Sequence, residues 1–204
     1  MLKRLFDIIF SLTGLILTFP LFLIVAIFIK LEDKGPVFYP GIRVGKGGKH
    51  FKMFKFRTMV VNADKIGGPS TADDDPRLTR VGRLIRKFKL DEIPQLINVF
   101  LGQMSFVGPR PEVPFYVDMF TQEERKILNV RPGITDWACL WNPDEGAILA
   151  GSPDPEKAYM EKIRPTKIKL QLKYVNEHSF FTDLKIMFLT LKTIITKQKT
   201  EVEV

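Results

Sequence analysis

The most continuous pattern in this chain is at its start. From Ile8 to Ile29 there is no charged residue, and most positions are Leu, Ile or Phe. A straight helix over that run, at ~1.5 Å per residue, reaches roughly across the hydrocarbon core of a bilayer. The run is too long for the apolar core of a usual signal peptide, and no small-residue cleavage site follows it. Two details bear on how it meets a membrane. Pro20 lies near its middle, where the missing amide hydrogen and the ring clash predict a kink. Lys3 and Arg4 precede the run and Lys30 and Lys34 follow it, so charge bias does not place its ends on opposite sides. A helix that bends at Pro20 and returns to the same face fits both facts; on residues alone a spanning helix stays equally open.

Beyond it, Gly35 to Gly41 reads as turn, short extended piece, turn, and Gly45 to Gly48 as a hairpin turn. The latter lacks the Lys-Ser/Thr of a P-loop and the spacing of a dinucleotide fingerprint. Phe51 to Met59 alternates in part between Phe/Met and Lys/Arg, which predicts a strand with Lys52, Lys55 or Arg57 on its polar face. Asn62 to Pro76 is a polar loop whose Asp73-Asp74-Asp75 run lacks calcium-loop spacing. Asp75-Pro76 predicts a helix start. From Arg77 to Lys89 the period is helical: Leu78, Val81, Leu84, Ile85 and Phe88 fall within an arc of roughly 120°. Arg80, Arg83, Arg86, Lys87 and Lys89 fill the rest without an acid among them, as suits anionic lipid headgroups or a phosphate site.

Asp91-Glu92-Ile93-Pro94 then predicts a second helix to about Leu101, ended by Gly102 and packed through Leu96, Ile97 and Phe100. Two carboxylates at the positive end of a helix, just past a basic one, are expected to be ionised. That suits a nucleophile or a metal ligand better than a general acid. After the extended run Ser105 to Gly108, prolines on both sides of Arg110 restrict the backbone and lower the entropy cost of aiming a guanidinium at phosphate. Thr121 to Asn129 predicts a capped helix, Tyr159 to Val175 helix interrupted at Pro165, and Phe180 to Ile195 a helix with a wide apolar surface. The last is expected under the membrane helix or at the lipid interface. The charged tail from Lys197 is expected to fray.

Composition narrows the partners. A net charge of +8 and a pI near 9.5 favour anionic ones. A length of 204 residues suits one packed domain with a membrane appendage. The single cysteine, Cys139, excludes an internal disulfide, and neither His50 nor His178 lies near it in sequence to activate it. No nucleic-acid-binding motif or aromatic interleaving accompanies the basic run. A non-catalytic basic membrane-surface or nucleic-acid-binding module built on Arg77 to Lys89 is the competing class.

Four ordered stretches resemble the bacterial sugar transferase family, the small monotopic phosphoglycosyl transferases. They are Lys55-Phe56-Arg57-Thr58-Met59, Leu90 to Val99, Met104 to Pro111, and Val130-Arg131-Pro132-Gly133-Ile134-Thr135. The resemblance covers nearly the whole chain, and what it implies is specific. The fold is α+β and helix-rich: a Pro-kinked re-entrant membrane helix (residues 1–30) and one small cytoplasmic catalytic domain (31–204) with amphipathic interfacial helices. The implied location is the bacterial inner membrane, with the catalytic domain on its cytoplasmic face. The implied activity moves a sugar-1-phosphate from a UDP-sugar to polyprenyl (undecaprenyl) phosphate and releases UMP, a first membrane step of glycoconjugate synthesis. Asp91 matches the nucleophile that carries a phosphosugar intermediate, and Glu92 the second member of the pair; both are candidate ligands of Mg²⁺. Arg110 matches the phosphate-binding arginine, with Lys55, Arg57 and Arg131 as further candidates near the diphosphate. Direct transfer in a ternary complex, with Asp91 and Glu92 only holding metal, is the rival mechanism. Nucleic acid is not an expected partner, and self-association is left open. After Thr135 the chain departs from the family's usual Gly-Trp-Ala-Gln, and Asp136 to Pro155 is expected to form an altered pocket wall in which Trp141 stacks a ring or packs.

Overall fold

The structure, a computed structural model, describes residues 1–196 and Val202, so the expectation for the tail from Lys197 lies outside the described residues. Helix α1 runs from Leu2 to Asp33, 32 residues, past the boundary expected at residue 30. It is long and apolar enough to cross a membrane by length and composition, and Pro20 does not divide it into two helices. Most of its apolar side chains, among them Ile16, Leu17, Phe19, Ile27 and Leu31, are exposed.

Both ends of α1 are bonded to the rest of the protein. Near its start, Lys3 Nζ donates to the Val107 carbonyl (2.8 Å) and the Asp183 carboxylate (2.5 Å), and Arg4 donates to the carbonyls of Val99 and Phe100. Buried Asp7 accepts from the Ser105 hydroxyl at 3.0 Å. At the other end, Asp33 pairs with the Arg57 guanidinium, and the Glu32 carboxylate accepts from the backbone amides of Arg80 and Val81.

Strands β1 (Phe38–Val44) and β2 (His50–Phe56) form an antiparallel hairpin, with Phe38 opposite Phe56 and Val44 opposite His50. The Gly45–Gly48 turn joins them as expected, but Pro40-Gly41 lies inside β1 and is not a turn. Phe38 stacks on Phe56, and Phe22 of α1 meets Phe56 edge-on, where the hairpin meets the membrane helix. Helix α2 is shorter than its periodicity suggests, Arg80–Lys87, and is capped by Thr79, whose hydroxyl accepts from the Gly82 amide at 2.9 Å. Asp75 does not cap it; its carboxylate binds Arg77 instead. Its apolar arc is also divided: Leu78 and Ile85 are buried, whereas Leu84 and Phe88 are exposed.

A single 3₁₀ turn, Leu90–Glu92, leads into α3 (Gln95–Phe100), and Gly102 follows with a left-handed φ of 80°. Strands β3 (Ser105–Val107) and β4 (Gly133–Thr135) pair in parallel, Ser105 opposite Gly133. A Cβ on Gly133 would lie 2.2 Å from the Gly108 nitrogen, so the two segments meet this closely only because both are glycine. Between them lie α4 (Pro114–Asp118) and Glu124–Asn129, which is 3₁₀ and not the expected α-helix; the expected cap at Thr121 is present, and Glu124 answers it by accepting from the Thr121 amide.

Next come α5 (Trp137–Trp141), α6 (Glu145–Leu149) and α7 (Pro155–Ala158). A π-helical turn, Tyr159–Ile163, then leads into α8 (Arg164–Glu177), and α9 (Phe180–Thr196) closes the described chain. Pro165 therefore sits in the first turn of α8, where its missing amide costs little. The main core gathers Val107, Trp137, Leu140, Leu170, Tyr174 and Ile186, so β3, α5, α8 and α9 share one interior. Trp141 packs between this core and a second one, the packing alternative for that residue. On α9, Phe181, Phe188, Ile194 and Ile195 remain exposed.

Candidate active site

The 3₁₀ turn at Leu90–Glu92 separates the fates of its two acids. Lys89 enters it with a left-handed φ of 55°, and Asp91 and Glu92 then face different surroundings. Glu92 is clamped: Lys55 Nζ donates to Oε1 at 2.9 Å, and the Arg110 guanidinium grips both oxygens, at 3.1 Å to Oε2. Burial pushes the Glu92 carboxyl up, but Arg110 and Lys55 outweigh it and hold the group well below the usual range. Arg110 is raised in turn by Glu92, and burial lowers Lys55 against the pull of Glu92.

Asp91 is buried at 7% exposure, yet among the described residues no donor is hydrogen-bonded to its carboxylate. Burial raises it, Lys55, Arg86 and Arg110 pull it down, and burial wins. The sequence places both acids in the ionised state on account of a helix terminus. The terminus is only one 3₁₀ turn, and desolvation reverses the shift for Asp91.

Arg110 is aimed from both sides. The Pro109-Arg110-Pro111 backbone follows β3, and the Arg110 amide donates to the Asp136 carboxylate at 3.2 Å. Asp136 also caps α5 through the Cys139 amide at 2.7 Å. Burial pushes the Cys139 thiol far up, which fits an inert cysteine.

The other candidates go elsewhere. The Arg57 guanidinium is spent on Asp33, the Pro36 carbonyl and the Met59 carbonyl, where it ties the end of α1 to the hairpin. Exposed Arg131 donates to the Gly102 carbonyl at 2.9 Å. Neither is bonded to Glu92 or Asp91. Arg86, which periodicity places with the other basic residues of α2, is near enough for its charge to lower Asp91. Its place one residue before the end of α2, five residues ahead of Asp91, was the available signal.

The family model described as "Bacterial sugar transferase" matches residues 1–197. The chain belongs to the bacterial sugar transferase family. Among curated relatives of this transferase, it is 39% identical to a UDP-N-acetylgalactosamine-undecaprenyl-phosphate N-acetylgalactosaminephosphotransferase of Aeromonas hydrophila, over 96% of this chain and 44% of that protein. It is 38% identical to the UDP-glucose:undecaprenyl-phosphate glucose-1-phosphate transferase of Escherichia coli (strain K12), over 94% of this chain and 39% of that protein. It is also 35% identical to the exopolysaccharide production protein ExoY of Sinorhizobium fredii, over 94% of this chain and 84% of that protein. The transferase therefore spans less than half the length of the first two.

The donor set can be tested against Mg²⁺. Among the described residues no cluster of three His, Cys, Asp or Glu side chains is poised for a metal, and both Glu92 oxygens are taken by cations. The unclamped Asp91 carboxylate fits a Mg²⁺ ion whose other ligands are substrate phosphates and water, the usual arrangement for this cation.

Proposed function

We propose that this transferase moves a sugar-1-phosphate from a UDP-sugar to undecaprenyl phosphate, by way of a phosphosugar–aspartyl intermediate on Asp91. This would be an opening membrane step of polysaccharide synthesis. The observation that carries the proposal is the asymmetry of the pair: a free, buried carboxylate beside one held by Lys55 and Arg110. A nucleophile must have a free oxygen. Its neighbour's ion pairs keep two cations in place for the incoming phosphates.

In the first half, an Asp91 oxygen attacks the β-phosphorus of the UDP-sugar and the bond to the bridging oxygen breaks, so UMP leaves with that oxygen and its electron pair. In the second half, a phosphate oxygen of undecaprenyl phosphate attacks the same phosphorus. The bond to Asp91 breaks, and the carboxylate is restored. Lys55 and Arg110 offset the charge that builds on the phosphoryl oxygens, and Arg86 helps keep Asp91 ionised. Bound at Asp91, Mg²⁺ would supply further neutralisation of the diphosphate, while Glu92 stays on Lys55 and Arg110.

The membrane arrangement belongs to the same proposal: α1 enters the bilayer and returns to one face, which in the cell is the cytoplasmic face of the inner membrane. The bonds of Lys3, Arg4 and Asp7 at one end and of Glu32 and Asp33 at the other, all to the same domain, support it. A helix crossing the bilayer would carry one of these ends away.

The test is a panel of UDP-sugars with undecaprenyl phosphate and Mg²⁺, reading UMP release, together with the Asp91→Asn variant. The wild type is expected to release UMP, to stop when a chelator is added, and to carry one sugar phosphate when the acceptor is withheld. The variant is expected to lose at least about 10³-fold in kcat and to carry none. Substantial UMP release by Asp91→Asn would leave only direct transfer.

A further inference from the structure

The segment from Asp136 to Pro155 lies against both halves of the site. Asp144 Oδ1 is 4.0 Å from Lys89 Nζ, two residues before Asp91. Glu145 Oε1 is 2.9 Å from Lys167 Nζ, and the same ammonium holds Glu112, two residues after Arg110, at 2.7 Å. The first turn of α6 thus bridges the nucleophile side and the arginine side. We propose that Glu145 is a specificity-determining residue that accepts hydrogen bonds from two neighbouring hydroxyls of the UDP-sugar, on the hexose or on the ribose. This rests on the transferase reading above.

Three observations carry it. Lys167 is 4% exposed and sits between Glu112 and Glu145, with the Tyr159 hydroxyl at 3.4 Å, so it fixes the Glu145 carboxylate and compensates its charge. Glu145 remains open: its side chain is 36% exposed, and among the described residues no donor is bonded to Oε2. Asn142, the C-cap of α5 three residues before Glu145, is 5% exposed with both amide atoms unpartnered. An unpaired buried amide is costly, and it leaves the connection into α6 with hydrogen-bonding capacity that no protein group uses.

Charge then selects the ligand group. Glu145 lies within electrostatic reach of Glu92, and burial, which raises its carboxyl, is outweighed by Lys167 and Arg110. An ionised carboxylate only accepts, so its free oxygen finds no partner in a phosphate oxygen and is complemented by a neutral O–H donor. A carboxylate accepts two such donors side by side, which matches a vicinal diol.

The experiment compares steady-state UMP release by the wild type and Glu145→Gln on the accepted UDP-sugar, its 2′-deoxyribose analogue and its hexose-deoxy analogues. For Glu145→Gln we expect KM for the UDP-sugar to rise about 10- to 100-fold, with kcat within about threefold. If the penalty disappears on the 2′-deoxyribose analogue, the ribose is the ligand. If it disappears on a hexose-deoxy analogue, the sugar is. An unchanged KM on every substrate overturns the proposal, as does a raised Mg²⁺ requirement with unchanged KM. Glu112 still pairs Lys167 in the variant, and a thermal melt checks that the fold is retained. Glu145→Asp, which keeps the charge and withdraws the carboxylate by one methylene, must show the same KM defect. A wild type that turns over no UDP-sugar overturns the transferase reading instead, whereas an active wild type with an indifferent Glu145→Gln overturns this inference alone.

Discussion

At Asp91, burial raises the carboxyl while Lys55, Arg86 and Arg110 pull it down, and the first effect wins. A nucleophilic carboxylate must be deprotonated. kcat/KM should therefore fall on the acid side through an apparent pKa above 3.8, the ordinary value for the group. Arg86→Gln removes a cation that stabilises the charged form, so it should move that acid limb to still higher pH. A pH profile of UMP release measures this, and an unmoved limb would assign it to another group. The adjacent Glu92 should not titrate in that range, because Arg110 and Lys55 hold it well below the usual carboxylate values. Adjacent acids were legible in the sequence; which was free and which clamped was not. The clamp comes from residues 37 positions earlier and 18 later.

Helix α2 illustrates what periodicity can and cannot say about an element. Its basic and apolar positions predict a helix, but its start depends on Thr79 and on Glu32, whose carboxylate reaches the Arg80 amide from 48 residues away. Gly82 is the contact that seats it. A Cβ there would lie 1.9 Å from the Thr58 carbonyl oxygen, which is backbone and cannot turn aside. Gly82→Ala should therefore push α2 off the hairpin and destabilise the protein by about 1–3 kcal/mol, despite alanine's better helix propensity. Chemical denaturation would show a lower midpoint; an unchanged or higher one would mean that α2 seats itself differently. A sequence read for periodicity treats that glycine as a mild defect in a helix.

For the whole molecule, the re-entrant arrangement predicts that both ends of α1 face one side of the membrane. Cys139 supplies little background, because burial keeps its thiol protonated. Single cysteines placed at Leu2 and at Lys34, both exposed, should label with a membrane-impermeant maleimide from the same side, at rates within about tenfold of each other. Labelling from opposite faces would restore a spanning helix. The sequence by itself determined the apolar N-terminal helix, the glycine hairpin, the amphipathic α2 and α9, and, through its motifs, the family. These follow from local periodicity, turn chemistry and short ordered matches, all written in consecutive residues. Only the tertiary structure decided that Arg57 anchors α1, that Arg86 acts on Asp91, that Lys167 joins Glu112 to Glu145, and that Asp91 alone is unclamped. Each of these depends on which charges are brought together out of water, and the strength of a charge pair is set by distance and desolvation in the folded chain.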